Sequence, residues 1–231
     1  RSNLGNLAIF AGGFGSGKSE IAVNFAIDMA GQSKNIVLAD LDLVNPFFAS
    51  RDAREKLATK NIRFVAPGGD LAFSDIPNLP SEIISLMKQD NNDMLIDLAG
   101  DEVGSLVVGY LSKLIIERGN YEFYLVINPY RPFAGELGSL KELKEVLERA
   151  GLIKFTGIIS NPNMVEETNL DLILEGHRRV VEFAAKLALP VKYLTVEERF
   201  YCYLPQEYGN ISKKIKLFLR PGWLQGSRGG M

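Results

Sequence analysis

The sequence predicts an α/β domain, a mainly parallel sheet of about seven strands with helices on both faces. Three observations lead there. Short apolar runs alternate with helical stretches from end to end of the chain. The runs are continuously apolar rather than alternating, as in strands whose two faces are both buried. Polar motifs rich in glycine and aspartate fall where the strands end, the edge at which ligands bind in such sheets.

Strands are expected at 7–11, 36–40, 62–66, 94–98, 123–127, 155–160 and 191–194. Helices are expected at 18–30, 46–59, 80–89, 103–118, 135–150, 169–187 and 208–219. Strict alternation of the two implies right-handed crossovers between parallel neighbours. Asn45 and Pro46 suit the cap and first position of the second helix. No linker or repeat divides the chain, so residues 1–231 read as one domain, with 224–231 expected to be a flexible tail.

Apolar residues make up 46% and charged residues 23%, which are globular values. Lys and Arg number 26 against 28 acids, a net charge of -2, so nothing global points to nucleic acid. The single cysteine, Cys202, excludes an internal disulfide or a cysteine metal cluster and suits a reducing compartment. No apolar run approaches the roughly 20 residues of a bilayer span, and a cytoplasmic protein is expected.

Between the first strand and helix lies Gly12-Gly13-Phe14-Gly15-Ser16-Gly17-Lys18-Ser19, which matches G-x-x-x-x-G-K-[ST] in the strand–loop–helix context that this phosphate loop requires. Glycines let successive N–H groups curl round a phosphate, and the helix N-terminus adds a favourable dipole. Residues 13–20 (Gly13, Phe14, Gly15, Ser16, Gly17, Lys18, Ser19 and Glu20) are the expected nucleotide-binding stretch. Lys18 would bridge the β- and γ-phosphates, and the Ser19 hydroxyl would ligate Mg²⁺.

The second strand runs into Asp40-Leu41-Asp42, two acids that point the same way while the chain stays extended. One would orient an attacking water and the other hold the metal's hydration shell. The strand at 94–98 carries Asp97, followed by Ala99-Gly100-Asp101. An apolar strand ending in Asp is the pattern of a Mg²⁺-binding carboxylate, and a glycine just after it can offer its N–H to the γ-phosphate. Asp101 and Glu102 fit helix N-terminal acids that favour the dipole.

These three motifs, in this order, resemble the MinD/ParA group of P-loop ATPases, over roughly residues 7 to 195. Ile127-Asn128-Pro129 and Ile159-Ser160-Asn161-Pro162 also look like strand ends of that group. The resemblance implies a parallel sheet wrapped by helices, binding of ATP and Mg²⁺, ATP-dependent homodimerisation and action on a partner protein. It implies Asp42 as the residue that positions water, Asp40 near the metal, Asp97 as the metal-binding acid and Asn161 as a contact to the base. The group's loop carries a second, early lysine, as in K-G-G-x-G-K. Gly13 stands at the matching position, which marks a divergent member and leaves the homodimer without that contact.

ATP is favoured over GTP because Asn161-Pro162-Asn163-Met164 carries no carboxylate for the donors of guanine. The expected function is thus a Mg-dependent ATP-hydrolysing switch, with Lys18 and Asp42 catalytic, Ser19, Asp40 and Asp97 at the metal, and Gly100 and Asn161 completing the nucleotide site. A small-molecule kinase or ligase on the same scaffold and a non-catalytic nucleotide sensor are the rival readings. The only histidine, His177, lies beside Arg178 and Arg179 and is expected to be an exposed helix residue. Cys202, in an aromatic run, suits packing. Residues 211–220 read as a basic amphipathic helix, preferred as an ordinary last helix packed on the sheet over one lying on an anionic membrane.

Overall fold

The computed structural model describes residues 6–31, 35–42, 57–66, 81–89, 91–132 and 135–218. The strands are β1 (Leu7–Ala11), β2 (Ile36–Leu41), β3 (Ile62–Val65), β4 (Asp93–Leu98), β5 (Tyr121–Ile127), β6 (Gly157–Ser160), β7 (Val191–Glu197) and β8 (Ser212–Ile215). They form one sheet in the order β3-β2-β4-β1-β5-β6-β7-β8, and every neighbouring pair is parallel. The helices are α1 (Lys18–Ala30), α2 (Ser81–Met87), α3 (Glu102–Arg118), α4 (Leu137–Gly151), α5 (Leu170–Leu187) and the short α6 (Glu198–Tyr201). The expected helix at 46–59, the cap at Asn45 and Pro46, and the tail at 224–231 lie wholly or mostly outside the described residues.

Alternation along β1 shows why the sheet is covered twice. Leu7, Ile9 and Ala11 join the core under α2, α3 and α4, while Phe10 enters the opposite core with Ile21, Ala22 and Phe25 of α1. Burial on both faces explains the continuously apolar strands. Local chemistry sets several boundaries. Asp101 caps α3 by accepting from the Gly104 N–H at 3.1 Å, and Gly119 closes that helix at φ +75°. Asn169 caps α5 by accepting from the Leu172 N–H at 3.0 Å.

The last element corrects the sequence expectation. Residues 212–215 form an eighth, edge strand paired with β7, and no basic helix forms over 208–218. The backbone groups of this segment satisfy the open side of β7 instead of bonding among themselves, and tertiary pairing outweighs a helical pattern of modest propensity. Asn24 of α1 clamps the strand's end, donating to the Lys216 carbonyl and accepting from the Lys216 N–H, both at 2.8 Å. Lys213 reaches Asp28 at 2.6 Å and lies over the Phe25 ring. Lys214 and Lys216 pair with Glu198. Lysines along a sheet edge also discourage further strand pairing. Among the described residues, the basis for an amphipathic membrane helix is therefore gone, and no helix is long and apolar enough to cross a membrane.

Candidate functional site

At the carboxyl ends of β1, β2 and β4, the turn after β1 is built to let backbone approach backbone. A Cβ on Gly12 would stand 2.5 Å from the Val126 carbonyl. The Ser16 N–H donates to the Gly13 carbonyl at 3.0 Å, and Gly15 and Gly17 take φ of +76° and +88°, the left-handed region that glycine reaches without cost. Gly17 caps α1 with no side chain in the way. The first N–H groups of that helix therefore face the loop, as a phosphate requires. A Cβ on Gly100 would collide with the Gly12 carbonyl, so the segment after Asp97 rides directly on the loop.

Beneath the loop sits a buried charge cluster. The Lys18 ammonium donates to Asp42 Oδ2 at 2.8 Å, with both side chains almost wholly buried. The Asp42 N–H in turn donates to Asp40 Oδ1 at 3.1 Å. Asp40 and Asp97 are register partners on the adjacent parallel strands β2 and β4, which puts two carboxylates side by side. Asp97 is fully buried, and neither of its oxygens has a hydrogen bond of ordinary geometry. Burial pushes its carboxyl up to about 6, although the Lys18 ammonium and the nearby Ser19 hydroxyl pull it down. For Lys18, burial favours the neutral amine, but the charges of Asp97, Asp42 and Asp40 outweigh it and the net movement is upward. One lysine thus offsets several carboxylates that share a small volume.

The donor set fits a hard divalent cation. Asp97 offers orphaned buried oxygens beside the Ser19 hydroxyl and Asp40. Among the described residues no cluster of three or more acidic, His or Cys side chains could hold a metal by itself. That suits Mg²⁺, which takes one or two carboxylates and completes its shell with water and phosphate oxygens.

The remaining expected residues fall in several places. Phe14 stands exposed at the loop's tip. The Glu20 carboxylate accepts from the Phe218 N–H at 2.6 Å, so this side chain is committed to the segment after β8. Asn161, at the end of β6, donates its amide to the Ser16 carbonyl at 2.8 Å, and a Cβ on Gly17 would collide with that nitrogen. Its oxygen accepts from the Thr195 hydroxyl at 2.8 Å, which also lies 3.2 Å from the Ser160 carbonyl. The Ser160 hydroxyl meets His177 Nδ1 at 3.1 Å.

His177 is another correction, being only 4% exposed. It belongs to the buried stripe of α5 with Ile173, Gly176, Val180 and Ala184, its ring edge-on to Tyr208, while Arg178 faces outward. Burial lowers its pKa, so the ring stays neutral. The sequence reading missed this line from Ser16 through Asn161, Thr195 and Ser160 to His177. The periodicity of α5 was the signal that could have found its far end.

No protein-family model matches the chain, and no curated protein matches it. Solved structures do. FtsY from Mycoplasma mycoides superposes with a TM-score of 0.57 at 18% identity, covering 83% of this chain and 60% of that one. Chloroplast FtsY from Physcomitrella patens gives 0.56 at 17% identity, covering 84% and 58%. Cell division protein ftsY from Thermotoga maritima gives 0.52 at 16%, covering 84% and 62%. The chain thus spans about three fifths of the length of these proteins. At such identities the likeness establishes the architecture alone, an α/β fold with a mainly parallel sheet.

Proposed function

We propose that the chain is a Mg²⁺-dependent ATP-hydrolysing switch of the MinD/ParA type, acting on a partner protein. The observation that carries this reading is the buried Lys18 ammonium, held by Asp42 among Asp40 and Asp97, directly under a glycine loop with the dihedrals of a phosphate cradle. Buried, imperfectly satisfied charge is costly, and a fold keeps it where ligand chemistry requires it.

In this reading the backbone N–H groups of residues 13–19 bind the phosphates and Lys18 turns from Asp42 to the β- and γ-oxygens. Asp42, released from the lysine, orients a water for in-line attack on the γ-phosphorus. The water oxygen forms the new P–O bond, the bond to the leaving diphosphate breaks, and the water's proton passes to Asp42 or a phosphate oxygen. Ser19, Asp40 and Asp97 would hold Mg²⁺, which supplies charge neutralisation for the phosphate oxygens when bound. Gly100, resting on Gly12, ties the segment after β4 to the state of the loop, which is how a switch would report to its partner. Preference for adenine rests on residues 161–164, which offer no carboxylate to guanine's donors.

The test is phosphate release from Mg-ATP and Mg-GTP by the chain, Lys18→Ala and Asp42→Ala. ATP turnover that both substitutions abolish, with Asp42→Ala still binding ATP, is the expected result. ATP binding without phosphate release would move the assignment to a nucleotide sensor or to a kinase awaiting its acceptor. Turnover of GTP alone would overturn the base assignment.

A further inference from the structure

The glycine loop of this chain carries one lysine, Lys18. The turn after β5 brings an arginine beside it. A Cβ built on Gly15 would stand 3.5 Å from Cγ and 3.6 Å from Cδ of Arg131, so the aliphatic stem of that arginine lies across the bare crest of the loop. The same glycine has φ +76°, and its missing side chain leaves the path over the crest clear.

The position of Arg131 is over-determined. Asn128, buried at the end of β5, donates its amide to the Asn163 carbonyl at 2.8 Å and accepts from the Tyr130 N–H at 3.1 Å. The Arg131 N–H donates to the Asn128 carbonyl at 3.2 Å. The Tyr130 hydroxyl is pinned to the Leu172 carbonyl of α5 at 2.6 Å. Gly135 keeps the turn tight, because a Cβ there would press on the carbonyls of Pro129 and Arg131. The backbone that carries the arginine is thus fixed on three sides, whereas Arg131 itself is exposed. Among the described residues no carboxylate pairs with its guanidinium, whereas Lys18, buried beneath the loop, has Asp42.

A cation on a fixed stretch of backbone, its stem beside the phosphate loop and its charged end exposed, is placed for charge that the ligand brings. An arginine supplied within the same chain can act in this way during phosphoryl transfer. Resting on the nucleotide-hydrolase reading above, we propose that Arg131 is a catalytic residue of this site: its guanidinium neutralises the negative charge that builds on the phosphate oxygens as the bond to the leaving diphosphate breaks.

The decisive comparison sets the intact chain beside Lys18→Ala, Arg131→Met and Arg131→Lys, with kcat for Mg-nucleotide hydrolysis and nucleotide Kd measured separately. Met keeps the stem over Gly15 and removes the charge, so a merely structural arginine would survive the change. The expected result is a kcat lower by at least about 100-fold in Arg131→Met with Kd within about threefold of the parent, and partial recovery in Arg131→Lys. If the intact chain turns over, Lys18→Ala does not, and Arg131→Met keeps the parental kcat, the inference on Arg131 falls while the hydrolase reading stands. A variant whose Kd rises with kcat unchanged makes Arg131 a binding residue and equally overturns the catalytic role. A chain that hydrolyses no nucleotide at all removes both.

Discussion

The two halves of the sheet's carboxyl edge are built on opposite principles. At β1, β2 and β4 the polar groups are charged and buried, and the Asp97 oxygens beside Lys18 are orphaned. Between β6 and β7 a second set is neutral and closed on itself, with Asn161, Thr195, Ser160 and His177 each answering the next, and the Glu197–Arg199 ion pair stands beyond it at the end of β7. A cluster of the first kind destabilises the empty site and gains its partners from a ligand. A network of the second kind rigidifies the frame against which that ligand binds. The charged half should therefore matter most to chemistry and the neutral half most to the fold.

Asp97→Asn tests the first part of that contrast and carries the largest effect. On the proposed reading, phosphate release should fall by at least about 100-fold, because Asp97 would hold the metal. The nucleotide-free protein should nevertheless gain stability, on the order of 1–3 kcal/mol, since a buried, unpartnered anion has been replaced by a neutral amide. Calorimetry without nucleotide should record a rise of several degrees in Tm, at about 2–4 °C per kcal/mol for a chain of this size. A lower Tm would show that Asp97 is structural and erase the distinction between the halves.

Asn161→Ala should do the reverse. It strips the Ser16 carbonyl of the Asn161 amide, leaves the Thr195 hydroxyl only its longer bond to the Ser160 carbonyl, and opens a hole beside Gly17. Loss of about 1–3 kcal/mol of stability is expected from the unsatisfied buried groups. Nucleotide affinity should weaken by roughly tenfold, since the loop's left-handed turn at Gly17 is no longer held, a cost near 1.4 kcal/mol. At saturating nucleotide, kcat should stay within about threefold of the parent, which separates a residue that positions the loop from one that joins the chemistry. If base contact were its whole role, affinity would fall with Tm untouched.

The same division governs how much could be read from the sequence. The glycine loop is a run of consecutive residues whose dihedrals follow from their lack of side chains, and Asp40 and Asp97 lie at the ends of strands that parallel register brings level. Local pattern plus sheet geometry therefore places the charged half. Asn161 meets Ser16 across 145 residues of chain, and Arg131 meets Gly15 through a loop whose shape depends on Asn128 and Tyr130; neither has a local pattern. The eighth strand escaped because Ile211, Ile215 and Phe218 satisfy a helical face, and only the free edge of β7 and the Asn24 clamp decide for a strand. His177 escaped because Arg178 and Arg179 drew the eye from a stripe recurring every three or four residues.

That histidine supports the smallest prediction, and one peculiar to the neutral half. Its ring is buried against the Ser160 hydroxyl and Tyr208, and that burial disfavours a protonated imidazole. The folded pKa lies below the unfolded value of about 6.5. Above that value both states are neutral and the burial of His177 costs no proton. As pH falls through it, the unfolded chain binds a proton that the folded chain refuses, and stability drains away. His177→Gln keeps a hydrogen-bonding group for Ser160 and does not titrate in this range. Between pH 7 and 5 the parent should therefore lose unfolding free energy relative to His177→Gln, with a slope no steeper than about 1.4 kcal/mol per pH unit for a single proton. Denaturant unfolding across that range measures it. Parallel curves for the two proteins would mean that the ring is not held neutral in the frame. The rigidity assigned to the β6–β7 half would then have to reside in Asn161 and Thr195 alone.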